Sequence, residues 1–313
     1  MERRGTILFV GIALCYSSVR RWFHHKERIY LKRTIPDVRP EYRSISIPEL
    51  SEQPTELIWG ASFALLVYQM GIAHAICNEN DHQLLLRKLI ISGVSGGSAT
   101  AGYMIATLHG IGDMDYWYRH HVMHIVAQSS TTYSIRNWAT TIWNGGYEYY
   151  RICHVLGMNE IDWKRRYRII ATHIRDFTLR VLNTFPNAQS FADGIASSSF
   201  LPGIISSNIC FQQCDTQNED LSNSLIDGGF GFNFTQYNPD NHIVHFSLRH
   251  SKHVYRKSDI YERVHYSILE GIDLVNDNLG IISSCDYADA MFICGYNFGI
   301  RNMDTIRKAL MLV

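Results

Sequence analysis

Two short stretches of this sequence have residue types and spacing suited to acyl transfer. Gly93-Val94-Ser95-Gly96-Gly97 is a G-x-S-x-G sequence set between the apolar run Leu89-Ile90-Ile91 and a run of small residues from Ser98 to Leu108. A serine on a strand-to-helix turn needs neighbours without side chains, because the backbone is strained there and the helix must pack close to the strand. Glycines at 93, 96 and 97 meet that need. The helix starting after Ser95 would aim its N–H groups and positive dipole end at the hydroxyl, favouring the oxyanion of an acyl-transfer intermediate. A glycine-rich turn of this kind also suits a phosphate cradle, which is the competing reading.

Such a nucleophile needs a base. Asp227-Gly228-Gly229 ends an apolar stretch, and an aspartate on a tight turn there can face the same sheet edge as Ser95. His242, His245, His250 and His253 follow it, so a Ser, Asp, His order is open at this point. His120, His121 and His124, with Asp113 and Asp115, have metal-ligand types, but an amphipathic helix with polar histidines near its surface explains them more simply. Cys210 and Cys214 are the only close pair among seven scattered cysteines and lack a second pair at zinc spacing. No metal and no cofactor is expected.

These residues need a scaffold to hold them. Residues 56–60 read as a strand and 63–76 as a helix; 88–93 and 98–108 repeat that pattern. Two strand-helix units in succession predict a parallel sheet covered by helices. A helix over 113–127, strands over 166–175 and 177–182, a short helix over 189–197, a strand over 242–248 and a helix over 260–275 complete the pattern. In the last of these, Tyr261, Val264, Ile268 and Ile272 share one side. The expected fold is α/β: one three-layer domain over 56–313, a mainly parallel sheet flanked by helices, preceded by an N-terminal hydrophobic segment.

That segment, Thr6 to Val19, is 14 mainly apolar residues between Arg3-Arg4 and Arg20-Arg21. As a helix it spans roughly 21 Å, short of the ~30 Å hydrocarbon core, so residues 1–33 read as a short anchor or a signal segment with basic flanks. A cleaved signal (1–19) would put the chain in the secretory pathway but leave a basic block that resists translocation. The anchor is preferred, giving membrane association through residues 6–19 with the catalytic domain facing the cytoplasm. Residues 34–55 hold Pro36, Pro40, Pro48 and Pro54 and read as an extended linker.

Composition narrows the partners. The chain is 46% hydrophobic, enough for a sizeable core, and Lys plus Arg equals Asp plus Glu at 29 each, which removes the general electrostatic case for nucleic acid. The aromatic stretch Trp138, Trp143, Tyr147, Tyr149 and Tyr150 reads as core packing before it reads as an acyl groove. Oligomeric state leaves no mark in the sequence.

Taken together the motifs resemble the patatin-like phospholipases, whose pattern is a glycine-rich oxyanion loop, a G-x-S-x-G turn, an A-S-x-x-x-P stretch and a D-G-G or D-G-A aspartate. Gly93 to Gly97 match the second, and Ala196-Ser197-Ser198-Ser199-Phe200-Leu201-Pro202 looks like the third with one residue more. Asp227 to Gly229 match the fourth, with Asn233 where the family often has asparagine. The resemblance implies a Ser-Asp dyad, Ser95 attacking an ester carbonyl of a membrane lipid and Asp227 taking its proton without a histidine. Gly93, Gly97, Gly228 and Gly229 would support the two turns. The oxyanion hole would come from the backbone of Gly60, Ala61, Ser62 and Phe63, with Gly96. In that first motif the chain departs from the family: it keeps one glycine of three and no basic residue before Tyr68.

Overall fold

The computed structural model describes residues 41, 43–62, 65–123, 166–185, 188–200, 225–232, 237, 242–247, 253–256, 262–267 and 285–312. In chain order its elements are β1 (Thr55–Trp59), α1 (Leu66–Glu79), α2 (His82–Lys88), β2 (Leu89–Val94), α3 (Gly96–Leu108) and α4 (Met114–Trp117). A π-helical turn over Tyr118–Val122 continues α4, and then come β3 (Tyr167–His173), β4 (Leu179–Leu182), α5 (Ala188–Ser198) and β5 (Leu225–Ile226). The rest are β6 (His242–Ser247), β7 (His253–Arg256), β8 (Glu262–Ser267), α6 (Cys285–Arg301) and α7 (Met303–Ala309).

The strands form one sheet in the order β4-β3-β2-β1-β6-β8-β7, with β5 added to β3. Neighbours from β3 through β2, β1 and β6 to β8 are parallel, while β4, β5 and β7 pair antiparallel. The fold is therefore mixed α/β, a mostly parallel sheet flanked by helices. Parallel pairing sends the carboxyl ends of β1 and β2 to the same edge, where Gly60 and Ser95 follow them. The N-terminal segment 6–19 lies outside the described residues; among those described, no helix is long and apolar enough to cross a membrane.

Strand alternation divides the core. Leu57, Trp59, Ile91, Tyr167, Ile169, Val244 and Phe246 join the large cluster that contains the helices, and Ile58, Val94, Ile170 and Ile243 form a smaller one closed by Tyr237 and Phe232. Helix α1 is buried on nearly all sides because α6 lies across it. Their backbones nearly touch: a Cβ on Gly71 would stand 2.1 Å from the Phe292 carbonyl oxygen, and one on Gly295 2.1 Å from that of Tyr68.

Several sequence expectations need correction. Within the helix expected over 260–275, Glu262–Ser267 is strand β8, parallel to β6, with 260–261 and 268–275 outside the described residues; a short apolar run with polar residues between fits either period, and pairing decides. The helix expected over 113–127 is four residues of α4 and a π-helical turn, with 124–127 outside the described residues. The part of the linker that is described runs along the domain. Arg43 N–H donates to the Gly110 carbonyl (2.8 Å), Ser51 N–H to that of Arg87 (2.8 Å), and the Arg166 guanidinium holds both the Pro48 and Leu86 carbonyls.

The α1–α6 contact can be tested by the sign of a single substitution. Alanine for an unconstrained helical glycine stabilises by about 1 kcal/mol, whereas Gly295→Ala should destabilise by about 1–3 kcal/mol because the methyl meets backbone. A denaturation midpoint that rises for Gly295→Ala would contradict the close crossing.

Candidate active site

Ser95 occupies the turn between β2 and α3 at φ 55° and ψ −132°, a conformation that L-residues rarely hold. The turn is tight because α3 begins against the ends of both strands. A Cβ on Gly97 would lie 2.3 Å from the Trp59 carbonyl oxygen and one on Gly93 2.3 Å from Ser98 Cα, so neither position admits a side chain.

Asp227 reaches the same place by sheet geometry. β2 pairs with β3 as far as Val94 opposite Ile170, and β4 fills the other edge of β3 through Thr172. β5, which pairs at Thr172 and His173, must then continue the edge that β2 vacates, and its next residue meets the turn after Val94. Gly228 crosses β3 closely, since its Cβ would stand 2.1 Å from the Ile170 carbonyl oxygen. Thr172 Oγ1 donates to the Gly228 carbonyl (3.2 Å) and accepts from Gly231 N–H (2.9 Å).

The two side chains meet directly. Ser95 Oγ donates to Asp227 Oδ2 at 2.5 Å across 132 positions of sequence, and Asp227 Oδ1 accepts from the Gly229 N–H at 2.7 Å. Both residues are buried, Ser95 8% and Asp227 5% exposed. Burial pushes the Asp227 carboxyl up to about 6, against the lowering effect of the hydrogen bonds from Ser95 and Gly229. A carboxylate poised near neutrality beside a hydroxyl is the arrangement a proton acceptor needs.

The expected oxyanion residues divide. Gly60 N–H is spent in the sheet on the Phe246 carbonyl (3.0 Å), so Gly60 is corrected from donor to spacer; a Cβ there would also lie 2.6 Å from His245 Nε2. Ala61 lies over the aspartate turn, 3.6 Å from where a Cβ on Gly229 would be. Phe63 lies outside the described residues. Ala61, Ser62 and Gly96 stay as candidate backbone donors, the last as the first amide of α3, which has no intrahelical acceptor.

Gln69 went unnoticed in the sequence. It is fully buried in α1, and its Nε2 donates to the Gly60 carbonyl at 2.9 Å. A trans peptide points its N–H opposite to its carbonyl, so Gln69 fixes the direction of the Ala61 N–H. Ser198 was also missed, and it contacts Ser95 directly: its Oγ accepts from Ser95 N–H at 2.9 Å. Counting back from Pro202 instead of forward from Ala196 would have found it, as Ser198 stands four residues before that proline.

Ser95 and Asp227 are in direct contact, and no histidine among the described residues stands between them. His242 pairs opposite Thr55 at the amino end of the sheet, away from Ser95, and His245 is buried edge-on to Phe232 at 5.2 Å. His250 lies outside the described residues, and His253 opens β7 near the sheet margin. His121 packs among Tyr103 and Trp117, and among the described residues no group of His, Cys, Asp and Glu could hold a metal ion. His124, the aromatic stretch 138–150, Cys210, Cys214 and Asn233 are outside the described residues.

No protein-family model matches the sequence, and no curated protein sequence does. Among solved structures, VipD from Legionella pneumophila is similar over 89% of this chain and 73% of its own, with TM-score 0.39 and 10% identity. A likeness at that level leaves the functional argument to the geometry of the site itself.

Proposed function

We propose that this chain is a patatin-like serine lipid acyl hydrolase that cleaves carboxylic esters of membrane lipids through an acyl-enzyme, with Ser95 as nucleophile and Asp227 as its only base. The observation that carries this reading is the 2.5 Å hydrogen bond from Ser95 Oγ to Asp227 Oδ2, with no imidazole between them. Asp227 accepts the serine proton as Oγ bonds to the ester carbonyl carbon. The developing oxyanion meets the Gly96 N–H and the positive end of α3, with Ala61 and Ser62 as the facing donors. Collapse of the tetrahedral intermediate expels the alcohol, which takes the proton back from Asp227. A water molecule, deprotonated by the same carboxylate, then attacks the acyl-serine and releases the acid. The hydrophobic segment 6–19 would keep the enzyme, with its domain on the cytoplasmic side, at the surface that holds its substrate and so raise local substrate concentration.

A second reading has one observation behind it: with Gly60 N–H committed to Phe246, the loop offers one donor fewer, and losing a donor typically costs about 2.7 to 4 kcal/mol of transition-state stabilisation. On that reading the protein binds lipid and scarcely turns it over. A fluorophosphonate probe separates the two, because phosphonylation needs an activated serine. Wild type should label and hydrolyse a generic acyl ester, and Ser95→Ala should do neither while still folding, with its stability in a thermal melt lowered by no more than the loss of one buried hydrogen bond, about 1–3 kcal/mol. A well-folded wild type that takes no label would favour the binding protein.

The base also sets a pH dependence. Asp227 works only when ionised, so with its carboxyl near 6, kcat/KM should be flat above about pH 7 and fall roughly tenfold per unit below 6. A pH profile with an acid limb near 4 would mean a different or unburied base.

Stability should move the other way. An aspartate at the ordinary 3.8 in the unfolded chain and about 6 in the folded one makes the folded state bind the extra proton between those values. This contribution is therefore present at low pH and lost as pH rises through 6, up to about 3 kcal/mol at roughly 1.36 kcal/mol per pH unit. Asp227→Asn should abolish turnover and flatten this component, so its denaturation midpoint relative to wild type should be higher at pH 8 than at pH 4.

A further inference from the structure

We propose that Ser198 is a positioning residue for the nucleophile: its hydroxyl bridges Ser95 to strand β3 and holds the serine in its left-handed turn. Ser198 is the last residue of α5 and is fully buried. Its Oγ accepts from the Ser95 N–H at 2.9 Å, 103 positions away, and donates to the Ile170 carbonyl at 2.6 Å. A hydroxyl has one proton to give. The Ile170 carbonyl can only accept, so the proton goes there and a lone pair faces the Ser95 amide. The direction of the bridge is thereby fixed, and the amide of Ser95 is committed, which leaves the oxyanion to its neighbour Gly96.

The same short segment also holds the base. Asp227 N–H donates to the Phe200 carbonyl at 2.8 Å. Residues 198 and 200 thus grip the main chain of both members of the dyad, one through a side chain and one through a carbonyl. Ser197, the adjacent hydroxyl, turns back into its own helix to the Gly194 carbonyl at 2.8 Å, so the role belongs to Ser198 and not to serines of this stretch in general. Strain at φ 55° persists only where the surroundings over-determine it, and the Ser198 bridge is the side-chain contact that reaches the strained residue's own amide.

This inference rests on the dyad reading, and the experiment keeps the two apart by using one readout that needs no activity. Full-length wild type, Ser198→Ala and Ser198→Thr are compared for ester hydrolysis across pH, and for hydrogen exchange of the amides at 92–98 by mass spectrometry. Ser198→Ala should lower kcat about 10- to 100-fold with KM within about twofold, as expected for a misplaced nucleophile. Its acid limb should move upward, since the hydrogen bond from Ser95 that lowers the Asp227 carboxyl is loosened, and the Ser95 amide should exchange faster. Ser198→Thr, which keeps the hydroxyl, should recover most of each effect. If Ser198→Ala does not fold, Ser198→Cys keeps the volume with a weak acceptor and should shift the same readouts in the same direction. Exchange, kcat and acid limb all equal to wild type would overturn the inference. A wild type without turnover would instead remove the dyad reading, and the exchange comparison would still decide whether Ser198 holds the turn.

Discussion

The hydrogen bond between Ser95 and Asp227 is the constraint from which the rest of this structure takes its meaning. It closes a loop of 132 positions at a point where both partners are withdrawn from water. A carboxylate in such a place is disfavoured unless donors surround it. Two are supplied, the Ser95 hydroxyl and the Gly229 amide, and they offset burial only in part. The residue is left between the fully ionised and fully neutral cases, able to accept a proton and to return it.

Holding that bond requires three chain segments to end at one rim, and a polar network set a few residues back from it ties the same strands together. Glu56, fully buried in β1, accepts from Ser92 Oγ of β2 (2.5 Å), from Tyr237 OH in the segment after the aspartate turn (2.6 Å) and from the Arg168 guanidinium of β3 (2.7 Å). Burial and the facing Glu56 hold the Tyr237 phenol well above its usual range, so it remains a donor. A buried ion pair contributes little net stability, but each partner removed leaves an uncompensated charge, so a slipped register is penalised. Glu56 lies four residues before Gly60 and Ser92 three before Ser95, while Arg168 lies two before Ile170, against which Gly228 and Ser198 rest. One-residue slippage in any of these strands would break the network and misalign the site together.

What could be read from the sequence was what depends on residue type alone. Only glycine fits at 93, 97 and 228, so the two turns announce themselves, and the two strand-helix units follow from apolar runs of the right lengths. What could not be read depends on pairing across long separations. Whether Gly60 N–H faces substrate or strand is decided by β6, nearly two hundred residues on. Whether 262–267 is helix or strand is decided by β6 and β7 on either side of it. Ser198 is one of three consecutive serines, and which of them turns its hydroxyl to Ser95 is selected by where α5 ends against β3.

The departure of the Gly60 loop from a run of three glycines then has a physical account. Glycine is required where φ is positive or where a Cβ has no room. Among the described residues, non-glycine positive φ occurs at Ser95, Phe177 and Met311, so neither Ala61 nor Ser62 is in that region. Ala61 is exposed at the rim and has space for its methyl. Gly60 is different: a side chain there would collide with His245 and with the Phe246 carbonyl, 2.6 and 2.9 Å from the added carbon. Glycine stands at the one of positions 60, 61 and 62 where packing demands it, and ordinary residues stand where the backbone allows them. With Gln69 anchoring the Gly60 carbonyl, the direction of the next amide is set by a buried side chain and not by glycine flexibility. A fixed donor needs no reorganisation when charge develops on the oxyanion, which is the property an oxyanion hole must have.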